Sequence, residues 1–150
     1  MQTFTSPAEL TAAVGRELGH SQWHRIDQDQ VNTFADATGD HQWIHVDVER
    51  AKAGPFKQTI AHGYLTLSLL PVLVSEVYQV SGVRMGVNYG LNKVRFPAPV
   101  PVGTRVRASV TLQDVHEVEG GVQVVGRVTI EAEGVAKPVC VAEAVSRLYF

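Results

Sequence analysis

The segment Ile60–Val80, IAHGYLTLSLLPVLVSEVYQV, constrains the fold of this chain more than any other. Leu65, Leu67, Leu69, Leu70, Val72, Leu73, Val74 and Val77 leave it no polar face at helical spacing. A helix formed here must be covered on most sides. Its length would suit a membrane span. However, His62, Pro71 and Glu76 interrupt it and nothing basic flanks its C-terminal end, so a buried central helix accounts for it better. Pro71 is expected to kink that helix.

After Gly82 the apolar period changes to two. TRVRASVTLQDV sets Val106, Ala108, Val110 and Leu112 on one face, with Arg107, Ser109 and Thr111 on the other. VQVVGRVTIEAE does the same with Val122, Val124, Gly126, Val128 and Ile130. Both read as half-buried strands, and Glu119-Gly120-Gly121 between them is a hairpin signal. VNYGLNKVRF supplies an earlier strand and VCVAEAVSRLYF a last one. The expected sheet is antiparallel with one face to cover, and only the apolar helix can cover it. That combination is α+β, a curved antiparallel sheet wrapped around a long central helix, the architecture called a hot dog.

The N-terminal part reads helical. Pro7–Leu18 places Leu10, Ala13, Val14 and Leu18 at helical spacing behind a Ser6 cap. Asp27 opens a second helix, with Gln30 completing a capping-box pattern and Val31, Phe34, Ala35 and Thr38 as its apolar face. Gly39 stops it. A third, short helix is expected from a cap at Asp47 through Val48–Lys52, ending near Gly54-Pro55. No repeat or linker divides the chain, so residues 1–150 read as one domain.

Composition narrows the partners. Hydrophobic residues make up 45% and charged ones 19%, an ordinary globular balance. With 13 basic and 15 acidic residues, the net charge of −2 offers no basic field to nucleic acid or an anionic membrane. The single cysteine, Cys140, excludes an internal disulfide and argues against a thiolate metal cage. The N-terminus lacks the basic start and apolar core of a secretory signal, so a cytoplasmic location is expected.

The run ATGDHQWIHVD crowds titratable and aromatic side chains just after the second helix. Asp40 and His45 lie five apart across a turn, outside any regular helix, and can approach one small site from two sides. A water held between them could lose a proton to one group while the other handles a second. Imidazole suits this, with an unperturbed pKa of about 6.5. Alternatively, Asp40 caps a turn and His45 lies on the surface. His41, His45, Asp40, Asp47 and His62 also raise a metal site. An i,i+4 histidine pair needs one helix face, however, and the helix has just ended, so no metal or cofactor is expected. Gly63, in the first turn of the long helix, leaves a backbone N–H unpaired and unobstructed. It is a donor for a developing oxyanion, or simply a tight-turn glycine.

ADATGDHQWIHVDVERA resembles the hydratase 2 motif of the MaoC-like (R)-specific enoyl-CoA hydratases. IAHGYLTLSLL resembles that family's helix entry, and NYGLNKVRFPAPVPVG its strand and proline turn. The resemblance runs from about Asp27 to Val110 and, by strand order, through the rest. It implies that Asp40 and His45 hold and activate the catalytic water and that the Gly63 N–H binds the thioester oxygen. It implies an enoyl-CoA thioester substrate, with Ile60, Ala61, His62 and Gly63 on one side of its site and Gly86, Val87, Asn88 and Tyr89 along an acyl-pantetheine tunnel. Asn88 and Tyr89 can instead form a buried structural pair. Lys93, Arg95 and Arg84 are candidates for the CoA phosphates or are simply solvated. A homodimer joined edge to edge is implied as well. Gln42-Trp43 stands where many members have Asn-Pro, and Trp43 adds bulk beside the site. Two other readings compete: a hot-dog acyl-CoA thioesterase, sending water to the carbonyl carbon, and a non-catalytic acyl-binding subunit. The latter should lack Asp40 or His45, and both are present.

Overall fold

The computed structural model describes residues 1–150. In chain order its elements are β1 (Gln2–Phe4), α1 (Pro7–Ala12), β2 (Glu17–His20), β3 (His24–Arg25), α2 (Gln28–Thr38), α3 (Trp43–Val46) and α4 (Val48–Lys52). There follow α5 (Gly63–Ser68), α6 (Leu70–Val77), β4 (Tyr78–Val80), β5 (Met85–Arg95), β6 (Arg105–Val118), β7 (Gly121–Ala132) and β8 (Cys140–Tyr149).

The period-two segments form the sheet. Its order is β2-β6-β7-β8-β5 with every pairing antiparallel, and β3 adds to the start of β6. The alternation decides the faces: Val106, Ala108, Val110 and Leu112 are buried, as are Val122, Val124, Val128 and Ile130. The hairpin turns at Gly120, whose φ of 77° favours glycine. Gly121 is required for a different reason, since a Cβ there would lie 2.0 Å from the Leu148 carbonyl oxygen. Leu70, Leu73 and Val77 of α6 pack into one core with the buried valine rows. This is the hot-dog fold, mixed α+β with an antiparallel sheet around central helical structure.

The central segment is not one long helix. It breaks at Leu69, two residues before Pro71, because the proline ring has no N–H to give the Leu67 carbonyl. The second helix also stops at Val77. Tyr78–Val80 becomes β4, paired in parallel with β1, instead of three more helical residues. Nor is the segment covered all round: Leu65, Leu70, Leu73 and Val77 are buried, whereas Tyr64 and Val72 are exposed. The N-terminal helix is shorter than its apolar spacing suggests. Ser6 caps it by accepting from the Glu9 N–H at 3.3 Å, but Gly15 adopts a φ of 85° beyond its end, and Leu18 lies in β2 against β6. No helix is long and apolar enough to cross a membrane.

One sheet edge stands open. β5 pairs only with β8, and Met85, Val87, Tyr89 and Leu91 along it are exposed. Between this edge, α5–α6 and the sheet lies a cavity of about 490 Å³. Leu67, Pro71 and Val74 line its helical wall, and Gly126, Val128 and Ala144 its sheet wall.

Candidate active site

Asp27 fixes the start of α2 by accepting from the Gln30 N–H at 2.9 Å, and Gly39 ends the helix with a φ of 82°. Asp40 is thereby thrown onto a tight turn. Its Oδ1 accepts from the Gln42 N–H at 3.3 Å, and its own N–H reaches Thr38 Oγ1 at 3.4 Å. The carboxylate does serve the turn, while its Oδ2 accepts no hydrogen bond and lies 4.0 Å from His62 Nε2.

His45 lies within the one-turn helix α3 and not on an open turn, and it is buried, with 7% of its surface exposed. Trp43 anchors that turn. Its ring packs so closely on Gly54 that a Cβ there would lie 2.9 Å away, and the Arg50 guanidinium stacks 4.4 Å from it. The tryptophan bulk is thus engaged with α4 and the turn after it.

The His45 tautomer follows from its neighbours. Nδ1 is 2.7 Å from the Ile60 carbonyl oxygen, which can only accept, so Nδ1 carries the hydrogen and Nε2 presents a lone pair. Burial holds the His45 pKa below the usual histidine value and His62 pushes the same way, against the Ile60 hydrogen bond and the Asp40 charge. The backbone around it is pinned twice. Ile60 N–H donates to the Ile44 carbonyl at 3.0 Å. Gln28 Nε2 donates to the His45 carbonyl at 2.7 Å, while its Oε1 accepts from Thr59 Oγ1 at 2.7 Å. Gln28 carried no signal in the sequence, because a polar residue early in a helix looks solvated until the facing strand is known.

His62 closes the group. It is 2% exposed, donates from Nε2 to the Asp40 carbonyl at 2.9 Å, and stacks on His45 with ring centroids 3.9 Å apart at 24°. Polar atoms of Asp40, His45 and His62 lie within 4.8 Å of one another. His41 and Asp47 are not among them: His41 turns outward to Asp36 at 2.8 Å, and Asp47 caps α4. The two imidazoles are stacked, and each already gives one ring nitrogen to a backbone carbonyl, His45 Nδ1 to Ile60 and His62 Nε2 to Asp40, which leaves them poorly set for one tetrahedral centre. The trio therefore suits proton transfer better than metal binding.

Gly63 is the first residue of α5, and its N–H has no acceptor within the chain. It follows His62, whose ring touches both Asp40 and His45. A Cβ at Gly63 would lie 3.0 Å from the Phe96 ring, so the missing side chain also lets Phe96 pack there. Ile60 and Ala61 act through their backbones: Ile60 O holds His45, and Ala61 N–H donates to the Val100 carbonyl at 2.9 Å.

The four β5 residues expected along a tunnel divide by strand parity. Asn88 lines the cavity, whereas Val87 is exposed and Tyr89 lies on the opposite face with the Arg147 guanidinium 3.6 Å from its ring. Gly86 backs onto the Leu148 side chain at 3.6 Å. Asn88 and Tyr89 therefore form no buried pair. The three candidate phosphate cations do not converge either. Lys93 and Arg95 border a shallow depression with Arg127, while Arg84 precedes the other end of this 11-residue strand. The thiol of Cys140 is buried and pushed up to about 11, which leaves no thiolate for nucleophilic chemistry.

The model of the family described as MaoC like domain matches residues 9–134. The chain is 60% identical, over 148 residues and 98% of both sequences, to 3-hydroxyacyl-thioester dehydratase Z of Mycobacterium tuberculosis (strain ATCC 25618 / H37Rv). It is 42% identical over 149 residues to nodulation protein N of Rhizobium leguminosarum bv. viciae, covering 97% of this chain and 92% of that one. Among solved structures, the (R)-hydratase from A. caviae involved in PHA biosynthesis matches with a TM-score of 0.70 at 26% identity, over 90% of this chain and 96% of that chain.

Proposed function

This chain belongs to the MaoC-like dehydratase family, and from that premise we propose that it adds water reversibly to a trans-2-enoyl-CoA, giving the (R)-3-hydroxyacyl-CoA. The observation that carries the reading is the His45 tautomer. With Nδ1 committed to Ile60 O, a neutral imidazole turns its Nε2 lone pair to the space beside the free oxygen of Asp40. A water seated there forms its new bond to C3 as one of its protons passes to His45. The π electrons move toward the thioester carbonyl, whose oxygen takes the Gly63 N–H. The enolate collapses as the proton returns from the Asp40–His45 pair to C2. Water is consumed, and the pair ends as it began.

The acyl tail runs from Gly63 along the helical stripe of Leu67, Pro71 and Val74 into the apolar cavity. The working form is a homodimer joined through β5. An unpaired strand with a row of exposed apolar side chains invites edge pairing, and a second copy supplies it.

Crotonyl-CoA and a longer enoyl-CoA test the reaction through loss of the absorbance of the conjugated thioester. Product should feed an R-specific but not an S-specific 3-hydroxyacyl-CoA dehydrogenase. Coupling to the S-specific enzyme alone would reject the stereochemical assignment. Release of free CoA without hydration would point to thioester hydrolysis instead.

A further inference from the structure

We propose that His62 is a positioning residue of this centre, holding Asp40 by its backbone carbonyl and His45 by the face of its ring. The inference rests on the roles given above to Asp40 and His45.

Three observations carry it. First, the position is almost fully buried, yet only one ring nitrogen is satisfied: Nε2 donates to the Asp40 carbonyl, and Nδ1 has no partner. Buried polar atoms cost stability unless bonded, so packing alone would be better served by an apolar ring. Phe34 already covers His62, with ring centroids 4.9 Å apart. Second, Asp40 is weakly held by its own turn, through contacts of 3.3 and 3.4 Å. The 2.9 Å bond from His62 is its tie to another part of the fold. Third, Nδ1 of His45 is fixed at Ile60 O, and a single hydrogen bond leaves a ring free to pivot. The His62 face at 3.9 Å blocks that swing and keeps Nε2 aimed. Because Gly63 is the next residue, one short segment sets the carboxylate, the imidazole and the backbone donor relative to each other.

The titratable groups facing His45 are Asp40, from the loop after α2, and His62, from the entry to α5. From α2 come only neutral contacts: Gln28 at the His45 carbonyl, and Phe34 behind His62. Removing the His62 ring therefore exposes His45 to water and removes the only other imidazole against it.

Two substitutions separate the two holds. His62→Phe keeps a flat ring on His45 and removes the donor to Asp40. Its kcat for crotonyl-CoA hydration should fall about 10- to 100-fold with KM little changed, the scale expected when a reacting group is misplaced by about 1 Å. His62→Gln keeps a donor near Nε2 and removes the ring. It should restore the hold on Asp40 yet leave kcat below wild type, because the His45 ring loses its stop, while His45, followed by NMR titration of its ring protons, moves up toward about 6.5. Wild-type kcat in folded His62→Phe would overturn the hold on Asp40. An unmoved His45 titration in His62→Gln would overturn the hold on the ring, and it decides the matter alone if the phenylalanine variant does not fold. The titration needs no substrate. A wild-type chain that fails to hydrate enoyl-CoA therefore counts against the reaction and leaves this test standing.

Discussion

Gly126→Val should shorten the acyl group the enzyme accepts without weakening the fold. Gly126 is buried in the middle of β7, on the sheet wall of the cavity. A Cβ at this position meets Val110 Cγ1 at 3.8 Å and the Thr111 carbonyl oxygen at 4.0 Å, both ordinary contacts. The strand therefore accepts a side chain, and its three carbons enter the cavity. Each methylene of tail they displace forfeits about 0.8 kcal/mol of burial, or about 2.4 kcal/mol for three. At 1.36 kcal/mol per factor of ten this is about a 60-fold loss of kcat/KM for tails long enough to reach the strand. Crotonyl-CoA should be unaffected, because its four carbons end within the first helical turn past Gly63, about 5.4 Å. Steady-state hydration of enoyl-CoA substrates of rising length measures the effect directly. The melting temperature is the control: valine in a strand interior should hold or raise it, since glycine there costs about 0.5–1 kcal/mol relative to alanine. Equal losses on crotonyl-CoA and on long substrates, or no loss on either, would remove the tail from this cavity.

Asp40→Asn and His45→Gln should each cost about 10²–10⁴ in kcat with the fold intact, and the double variant should be scarcely worse than either if both act on one water as proposed; full activity in either single variant would sink the pair. The acid limb of kcat/KM should have its midpoint below about 6.5, because burial lowers the His45 pKa and preserves its lone pair into mild acid. Stability should follow the same group: between its folded and unfolded values the unfolded chain binds more protons, so the melting temperature should drop as pH falls through that window. Sedimentation equilibrium at micromolar concentration should give a dimer, and an active monomer there would refute pairing through β5.

The strands were legible because a half-buried sheet writes its faces into the sequence with a period of two. The faces assigned to β6 and β7 are the buried ones, and Gly126 is buried in its row. The helical segments were less legible. Apolar spacing in Pro7–Leu18 fits a helix as well as a helix followed by a strand, since Leu18 faces the core either way. What ended α1 early was the left-handed backbone at Gly15 and the pairing of β2 with β6, a contact with residues nearly a hundred positions away. Pro71 marked the interruption of the central segment. The break fell two residues earlier because the lost hydrogen bond is the one the preceding turn needed.

The site divides on the same physical line. Asp40 and His45 stood out because they are close in sequence and chemically out of place in a turn. Gln28 and His62 position them from 17 residues either side of His45, by bonds to backbone carbonyls. Carbonyls look alike in every residue, so nothing in the identity of Asp40 or His45 signals which side chain will bond to them. The same limit explains why His62 could be placed at the substrate entrance but not against the His45 ring. Stacking needs α3 and the entry to α5 at one point, and that meeting is made by the Ile60–Ile44 and Ile60–Pro101 backbone contacts. A centre assembled this way should tolerate exchange of Ile60 for another β-branched residue, because the chain uses its backbone. It should not tolerate proline there, which removes the N–H to Ile44 and would shift the carbonyl that fixes the His45 tautomer.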